Sequence, residues 1–137
     1  MKTIIVDVDG TLSYCGDRSP YDYSKVNEDK VNEVLRYILI GLCEDFRIVI
    51  LTGRDDDSED ITVEWLKENR IPFDEIFMRT TGDKRPDEIV KKEIFDEYLS
   101  KDEIFCVFED RPKVIRMWKE LGLFVFDCNL KDPREDF

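Results

Sequence analysis

The 137-residue sequence contains no histidine. That absence removes Ser-His-Asp and Cys-His pairs, and with them hydrolysis by those nucleophiles. It also removes imidazole ligands. The four cysteines (Cys15, Cys43, Cys106 and Cys128) lack the CxxC spacing of an all-thiolate zinc site. There is no internal repeat, linker or low-complexity stretch. No apolar run approaches the roughly 18–20 residues that cross a bilayer. The opening Met1-Lys2-Thr3 leads into a strand-like Ile4-Ile5-Val6 without a signal-peptide pattern. The expectation is a cytoplasmic protein with reduced thiols and no membrane partner.

What is present is charge: 33 Asp+Glu against 21 Lys+Arg, a net −12. Such a field repels nucleic acid and anionic membrane at long range, so an anionic partner requires local positive groups. With 42% hydrophobic and 12% aromatic residues the chain reads as globular, a single domain over residues 1–137 with its own core.

Residues 3–8 form a short β-branched run that stops at carboxylates, as a buried parallel strand does. Residues 11–26 read as a structured loop. A helix is expected over about 28–43, capped by Asn27, with Val31, Val34, Leu35, Ile38, Leu39 and Leu42 on its inner face. Further strands are expected at Phe46–Leu51, Glu75–Met78, Glu103–Phe108 and Leu123–Phe126. Helices fall between them, after the acids at 55–60, over Pro86–Leu99, and from an Asp110 cap to about Leu121. The Pro86–Leu99 helix turns Ile89, Val90, Ile94, Phe95 and Tyr98 inward, and Trp65 and Trp118 read as core. Alternation of this kind means an α/β, Rossmann-like three-layer sandwich with a five-stranded, mainly parallel sheet.

Ligands of such sheets bind beyond the carboxyl ends of the strands. This chain places there Asp7-Val8-Asp9-Gly10-Thr11, Thr52-Gly53-Arg54, Arg79 to Asp83, and Glu109-Asp110-Arg111. Acids from two strands converge with arginines from three. Oxygen-only donors crowded together suit a hard cation such as Mg²⁺, and the arginines suit a phosphate. Without histidine, a carboxylate nucleophile is the economical solution.

Asp7-Val8-Asp9-Gly10-Thr11 resembles the DxDGT signature of the haloacid dehalogenase superfamily, with Thr52-Gly53-Arg54 and Glu109-Asp110 at its later strand ends. The resemblance sharpens at Arg18-Ser19-Pro20-Tyr21-Asp22 and Gly82-Asp83-Lys84-Arg85-Pro86-Asp87. Together these look like the 3′-phosphatase domain of bacteriophage-type polynucleotide kinase/phosphatases, across essentially the whole chain and with a minimal cap. The family's kinase half is expected to be absent, because no GxxxxGK[ST] loop for ATP occurs.

That resemblance implies an aspartyl-phosphate mechanism. Asp7 would be the nucleophile and Asp9 the general acid and base. Mg²⁺ would be held by Asp7, the Asp9 carbonyl, Glu109 and Asp110. Glu109 stands where the family more usually has Asp, which favours water-mediated contact. Thr52 would bond the phosphoryl group, although a strand-capping threonine is the plain alternative. Arg18 and Arg54 would clamp substrate phosphate or nucleotide, with Thr11, Gly53, Asp83, Lys84 and Arg85 completing the substrate site. Asp83 would orient an arginine or the metal water, or serve its turn. Lys84, Arg85 and Lys91 compete to offset charge on the phospho-intermediate, with Lys91 assigned to catalysis although it could equally lie on a solvated face. Tyr14, Tyr21 and Tyr23 lie in a loop beside the site and could contact a nucleoside.

The expected substrates are 3′-phosphorylated nucleic-acid ends or nucleotides. A phosphatase of small nucleotide or sugar phosphates would show no 3′ preference. A non-catalytic binding module would not need the intact Asp7/Asp9 pair.

Overall fold

A computed structural model describes residues 1–14, 19 and 22–130. Arg18, Tyr21 and Cys15 lie outside the described residues, so the expectations for them rest on sequence. Among the described residues the sheet elements are β1 (Thr3–Val6), β2 (Ser13–Tyr14), β3 (Lys30–Val31), β4 (Arg47–Asp55), β5 (Glu75–Arg79), β6 (Ile104–Glu109) and β7 (Val125–Asp127). The helices are α1 (Glu33–Leu42), α2 (Glu59–Glu68), α3 (Asp87–Tyr98) and α4 (Pro112–Glu120).

Five strands form one parallel sheet in the order β5-β4-β1-β6-β7. Its centre is apolar on both faces, as strands covered twice must be. One face packs Ile4, Val6, Ile48 and Ile50 against Leu35 and Leu39 of α1 and Trp65 and Leu66 of α2. The other packs Ile5, Leu51 and Val107 against Phe95 of α3 and Val114 and Trp118 of α4. Helix, sheet and helix make the three layers that the alternation predicts. The chain runs from β1 outward through β4 and β5, then crosses back to β6 on the other side of β1. The switch point therefore falls at β1, where ligands of open α/β sheets bind.

Two expectations about α1 are corrected. Its cap is Asn32, not Asn27: the Asn32 side chain accepts from the Leu35 amide at 3.2 Å and donates to the Thr11 carbonyl at 2.9 Å. Residues 23–28, where the helix was expected to start, are a 3₁₀ turn. Of the expected inner face, Leu35 and Leu39 are buried, whereas Val34 and Ile38 are exposed. The cap bond ties the loop after β1 to the start of α1, and β2 pairs antiparallel with β3 across that loop. Together they join the loop after β1 to the first helix.

Candidate active site

Beyond Val6 the chain leaves the sheet and turns back on itself. The amides of Leu12 and Ser13 both donate to the Val8 carbonyl, and Gly10 takes φ +82°. The turn sets the Asp7 carboxylate over the end of β1, buried, with the Asp7 amide bonded to the Phe108 carbonyl of β6. Strand β6 brings Glu109 and Asp110 to the same point. Carboxylate oxygens of Asp7, Glu109 and Asp110 lie within 4.8 Å of one another, and all three residues are buried.

Among the described residues, one cation answers them. Lys91, one turn into α3 and 1% exposed, donates to Asp7 Oδ1 at 2.8 Å and Glu109 Oε2 at 2.9 Å. Of the three competing basic residues, this is the one the structure brings to the cluster. Arg85 instead pairs with Asp83 and Glu93 on the surface, and Lys84 is exposed. Asp83 thus orients an arginine and serves its turn, and the Arg85 guanidinium holds its carboxyl down at about 2.

Three carboxylates and one ammonium leave an excess of negative charge in a dry place. Burial would push Asp7 up, but the Lys91 charge and hydrogen bonds outweigh it, so its carboxyl sits below the ordinary value. Its neighbours bear the repulsion. Burial and the Asp7 charge push Asp110 up to about 9, and burial and the same charge push Glu109 up to about 7. Burial pulls the Lys91 ammonium down, but Asp7 and Glu109 together raise it above its usual value.

The donor set fits a hard divalent cation: oxygens only, clustered, and short of positive charge. Glu109 is partly committed, with Oε1 accepting from the Asp110 amide and Oε2 from Lys91. Asp7 is equally committed, to Lys91 through Oδ1 and to Thr11 through Oδ2, and Asp110 is the freer donor.

Asp9 sits apart from this cluster. Its carboxylate is held on both oxygens by Arg54, from Nη2 at 2.7 Å and Nε at 2.9 Å. The expectation that Arg54 clamps substrate is corrected here. The guanidinium is 1% exposed and is also committed to Thr62 and to the buried Asp29. A side chain so placed positions Asp9 and presents no free fork to a ligand. Asp29 carries no motif and was missed; its carbonyl accepts from the Trp65 indole at 3.0 Å, which locks the seat to α2.

Thr11, expected at the substrate, lies fully buried between carboxylates, its hydroxyl 3.1 Å from both Asp7 Oδ2 and Asp110 Oδ1. The buried Thr52 accepts from the Arg54 amide through its hydroxyl oxygen. The role expected of Asp110 as a helix cap is also corrected: Arg111 holds the cap position of α4, without a side-chain bond.

Asp87 is a second missed residue, since an acid in a first helical turn reads as ordinary dipole complement. Arg79 and Arg111 both pair with it, and a Cβ at Gly53 would lie 2.5 Å from its Oδ1. Tyr23 lies beside the site, its ring centroid 6.0 Å from the Arg54 guanidinium carbon.

Glycine at position 10 is required twice. Its φ is positive, and a Cβ would lie 2.6 Å from Asp110 Cγ. Gly82 has φ +93° with nothing within 4 Å of the same position. In urea unfolding, Gly82→Ala is expected to cost about 1–2 kcal/mol from backbone strain alone. Gly10→Ala is expected to cost more and to weaken turnover, because the Asp110 carboxylate must move. Equal costs would show that this carboxylate yields freely.

Paired acids at the end of the central strand, a lysine from the following crossover helix and an acidic pair from the strand beside it define a phosphatase of the haloacid dehalogenase superfamily. D,D-heptose 1.7-bisphosphate phosphatase from B. bronchiseptica shares the fold, with a TM-score of 0.66 at 17% identity over 93% of this chain and 80% of its own.

The chain belongs to a narrower family within that class, the polynucleotide kinase PNKP phosphatase domain, whose family model matches residues 1–132. It is thereby a phosphoric monoester hydrolase. A protein of Autographa californica nuclear polyhedrosis virus, described as a bifunctional polynucleotide kinase/RNA ligase, is 32% identical over 127 residues. That match spans 89% of this chain and 18% of the viral protein. A chain in the solved Pnkp1/Rnl/Hen1 complex superposes with a TM-score of 0.91 at 34% identity, over 96% of this chain and 47% of its own. The chain thus spans a fifth to a half of these relatives. No helix among the described residues is long and apolar enough to cross a membrane.

Proposed function

We propose that this domain removes 3′-phosphates from polynucleotide ends, or from nucleotides, with Mg²⁺ and through a phosphoryl group carried on Asp7. The observation that carries this reading is the Asp7 carboxylate: buried, kept ionised by Lys91, and aimed by Thr11 at the open end of β1. The PNKP family match supports the choice of polynucleotide ends. The related Pnkp1 was solved within an RNA repair complex, which makes RNA 3′ ends the first substrates to test.

Asp7 attacks phosphorus, forming its Oδ–P bond as the ester P–O bond breaks, and Asp9 gives its proton to the leaving oxygen. Water then attacks the acyl phosphate and Asp9 takes the proton back, freeing Asp7 and inorganic phosphate. Arg54 holds both Asp9 oxygens and so fixes where that proton is given and taken. Lys91 offsets charge on Asp7 throughout. Asp7, the Asp9 carbonyl and Asp110 would hold Mg²⁺, with Glu109 through water. Bound there, Mg²⁺ supplies the neutralisation that lets an anionic nucleophile approach an anionic ester.

The test is a panel of 3′-phosphorylated and 5′-phosphorylated oligonucleotides and an aryl phosphate, each with Mg²⁺ or with chelator. A preference of at least tenfold in kcat/KM for 3′ ends is expected, with turnover lost in chelator. Equal turnover of both ends would leave a general phosphatase. No turnover of any substrate would overturn the catalytic reading.

A further inference from the structure

On a chain of net charge −12, residues 111–119 hold Arg111, Lys113, Arg116 and Lys119 and no carboxylate. Helix α4 sorts these residues cleanly. Val114, Ile115, Met117 and Trp118 are buried, while Lys113, Arg116 and Lys119, three apart, form an exposed stripe. Between α4 and α3 runs a groove of about 420 Å³, lined by Lys113 and Arg116 on one wall and Lys92 on the other. Met117 and Ile89 give it an apolar lining. Glu88 and Glu120 also reach it, so the positive charge lies mainly along the exposed stripe of α4. Lys92 is held only by an exposed ion pair to Asp96, which costs little to exchange for another anion.

Helix α4 follows β6 after two residues and α3 follows β5 after seven, so both start on the side of the sheet where the parallel strands end. Glu88 and Lys113, which line the groove, come one and two residues after Asp87 and Arg111. Arg111 Nη1 bonds Asp87 Oδ2 at 2.6 Å, and the Asp87 carboxylate abuts Gly53. The basic run from Arg111 to Lys119 spans about 12 Å of helix.

We propose that the α3–α4 groove and the basic face of α4 hold the sugar–phosphate backbone of the single strand leading to the terminal 3′-phosphate. This rests on the function proposed above and adds its consequence: the enzyme reads a polynucleotide, not a nucleoside monophosphate. A positively charged groove that follows the phosphates is a usual means of tracking a single strand without reading sequence. A positive track also answers the long-range repulsion of the chain's net charge, because it acts within a Debye length of the strand.

The experiment compares a 12-nucleotide single strand bearing a 3′-phosphate with a nucleoside 3′-phosphate. In the wild type the 12-mer is expected to have at least a tenfold lower KM. Lys113→Glu with Arg116→Glu should raise KM for the 12-mer at least tenfold and leave KM for the mononucleotide within twofold. Lys113→Gln with Arg116→Gln, which removes charge without reversing it, should give a smaller rise. Its log–log salt slope should be shallower by about 0.7 per cation removed. Thermal melting of both variants checks the fold.

Equal KM values for 12-mer and mononucleotide in the wild type would overturn the groove while leaving 3′-phosphatase activity standing. So would equal losses on both substrates in the variants. Should the wild type release no 3′-phosphate, the function proposed above fails. Anisotropy with a labelled, unphosphorylated 12-mer then judges the groove, which is overturned if charge reversal leaves binding unchanged.

Discussion

Asp7→Asn is expected to lower phosphate release by at least on the order of 10⁴-fold while the protein stays folded. The amide is nearly isosteric and still reaches Thr11, but it has no anionic oxygen to attack phosphorus. The structure gives the substitution a second signature. Removing one of three clustered carboxylates relieves the repulsion on Glu109 and Asp110. The metal-free variant should therefore melt no lower than the wild type at pH 8, and Mg²⁺ should raise its Tm less. Phosphate release and thermal melting with and without Mg²⁺ read the two effects. Activity within tenfold of wild type would contradict Asp7 as nucleophile.

Lys91→Met should be strongly destabilising. It leaves Asp7 and Glu109 buried without their ammonium, a loss of about 3–5 kcal/mol for a broken buried pair at pH 8 without metal. The pH dependence has a definite sign. Glu109 and Asp110 have raised values in the folded protein, near 7 and 9, so between about pH 4.5 and 9 the folded state binds more protons than the unfolded chain. Stability of the metal-free protein therefore falls as pH rises through that window. The Lys91 value is also raised, so its stabilisation is complete below the unfolded lysine value of about 10.5 and does not titrate there. Without Lys91 the carboxyls protonate still more readily. The variant's deficit should be largest at pH 8 and shrink toward pH 5.5. Urea unfolding at the two pH values measures this, and a deficit independent of pH would contradict it.

Strands β1 and β4 and the strand-end motifs were legible because buried parallel strands are unbroken β-branched runs that stop where chemistry begins. What failed to read was depth. Periodicity gave α1 a broad apolar face, yet only a narrow stripe meets the sheet, so Val34 and Ile38 face outward. On α3 the expected inner residues Ile89 and Tyr98 are exposed, while the polar Lys91 is buried. A lysine's neighbours decide its burial, and those neighbours, Asp7 and Glu109, lie 84 and 18 residues away. Arg54 misled for the same reason. At a strand end, an arginine that grips a ligand and one that grips Asp9 look alike until Asp29 and Thr62 are seen behind it.

The distance along the chain between Asp7 and Asp110 has a consequence for folding. Strand β6 joins the sheet beside β1 only after about a hundred residues have been made, and closing so long a loop is an entropic cost met late. Until then Asp7 lacks its acidic neighbours Glu109 and Asp110. A nascent or truncated chain ending before β6 holds at residue 7 a carboxylate without those partner acids, unable to concentrate divalent cations. An affinity of this cluster for Mg²⁺, as proposed above, would thus report on completed assembly, acquired when the last central strand docks.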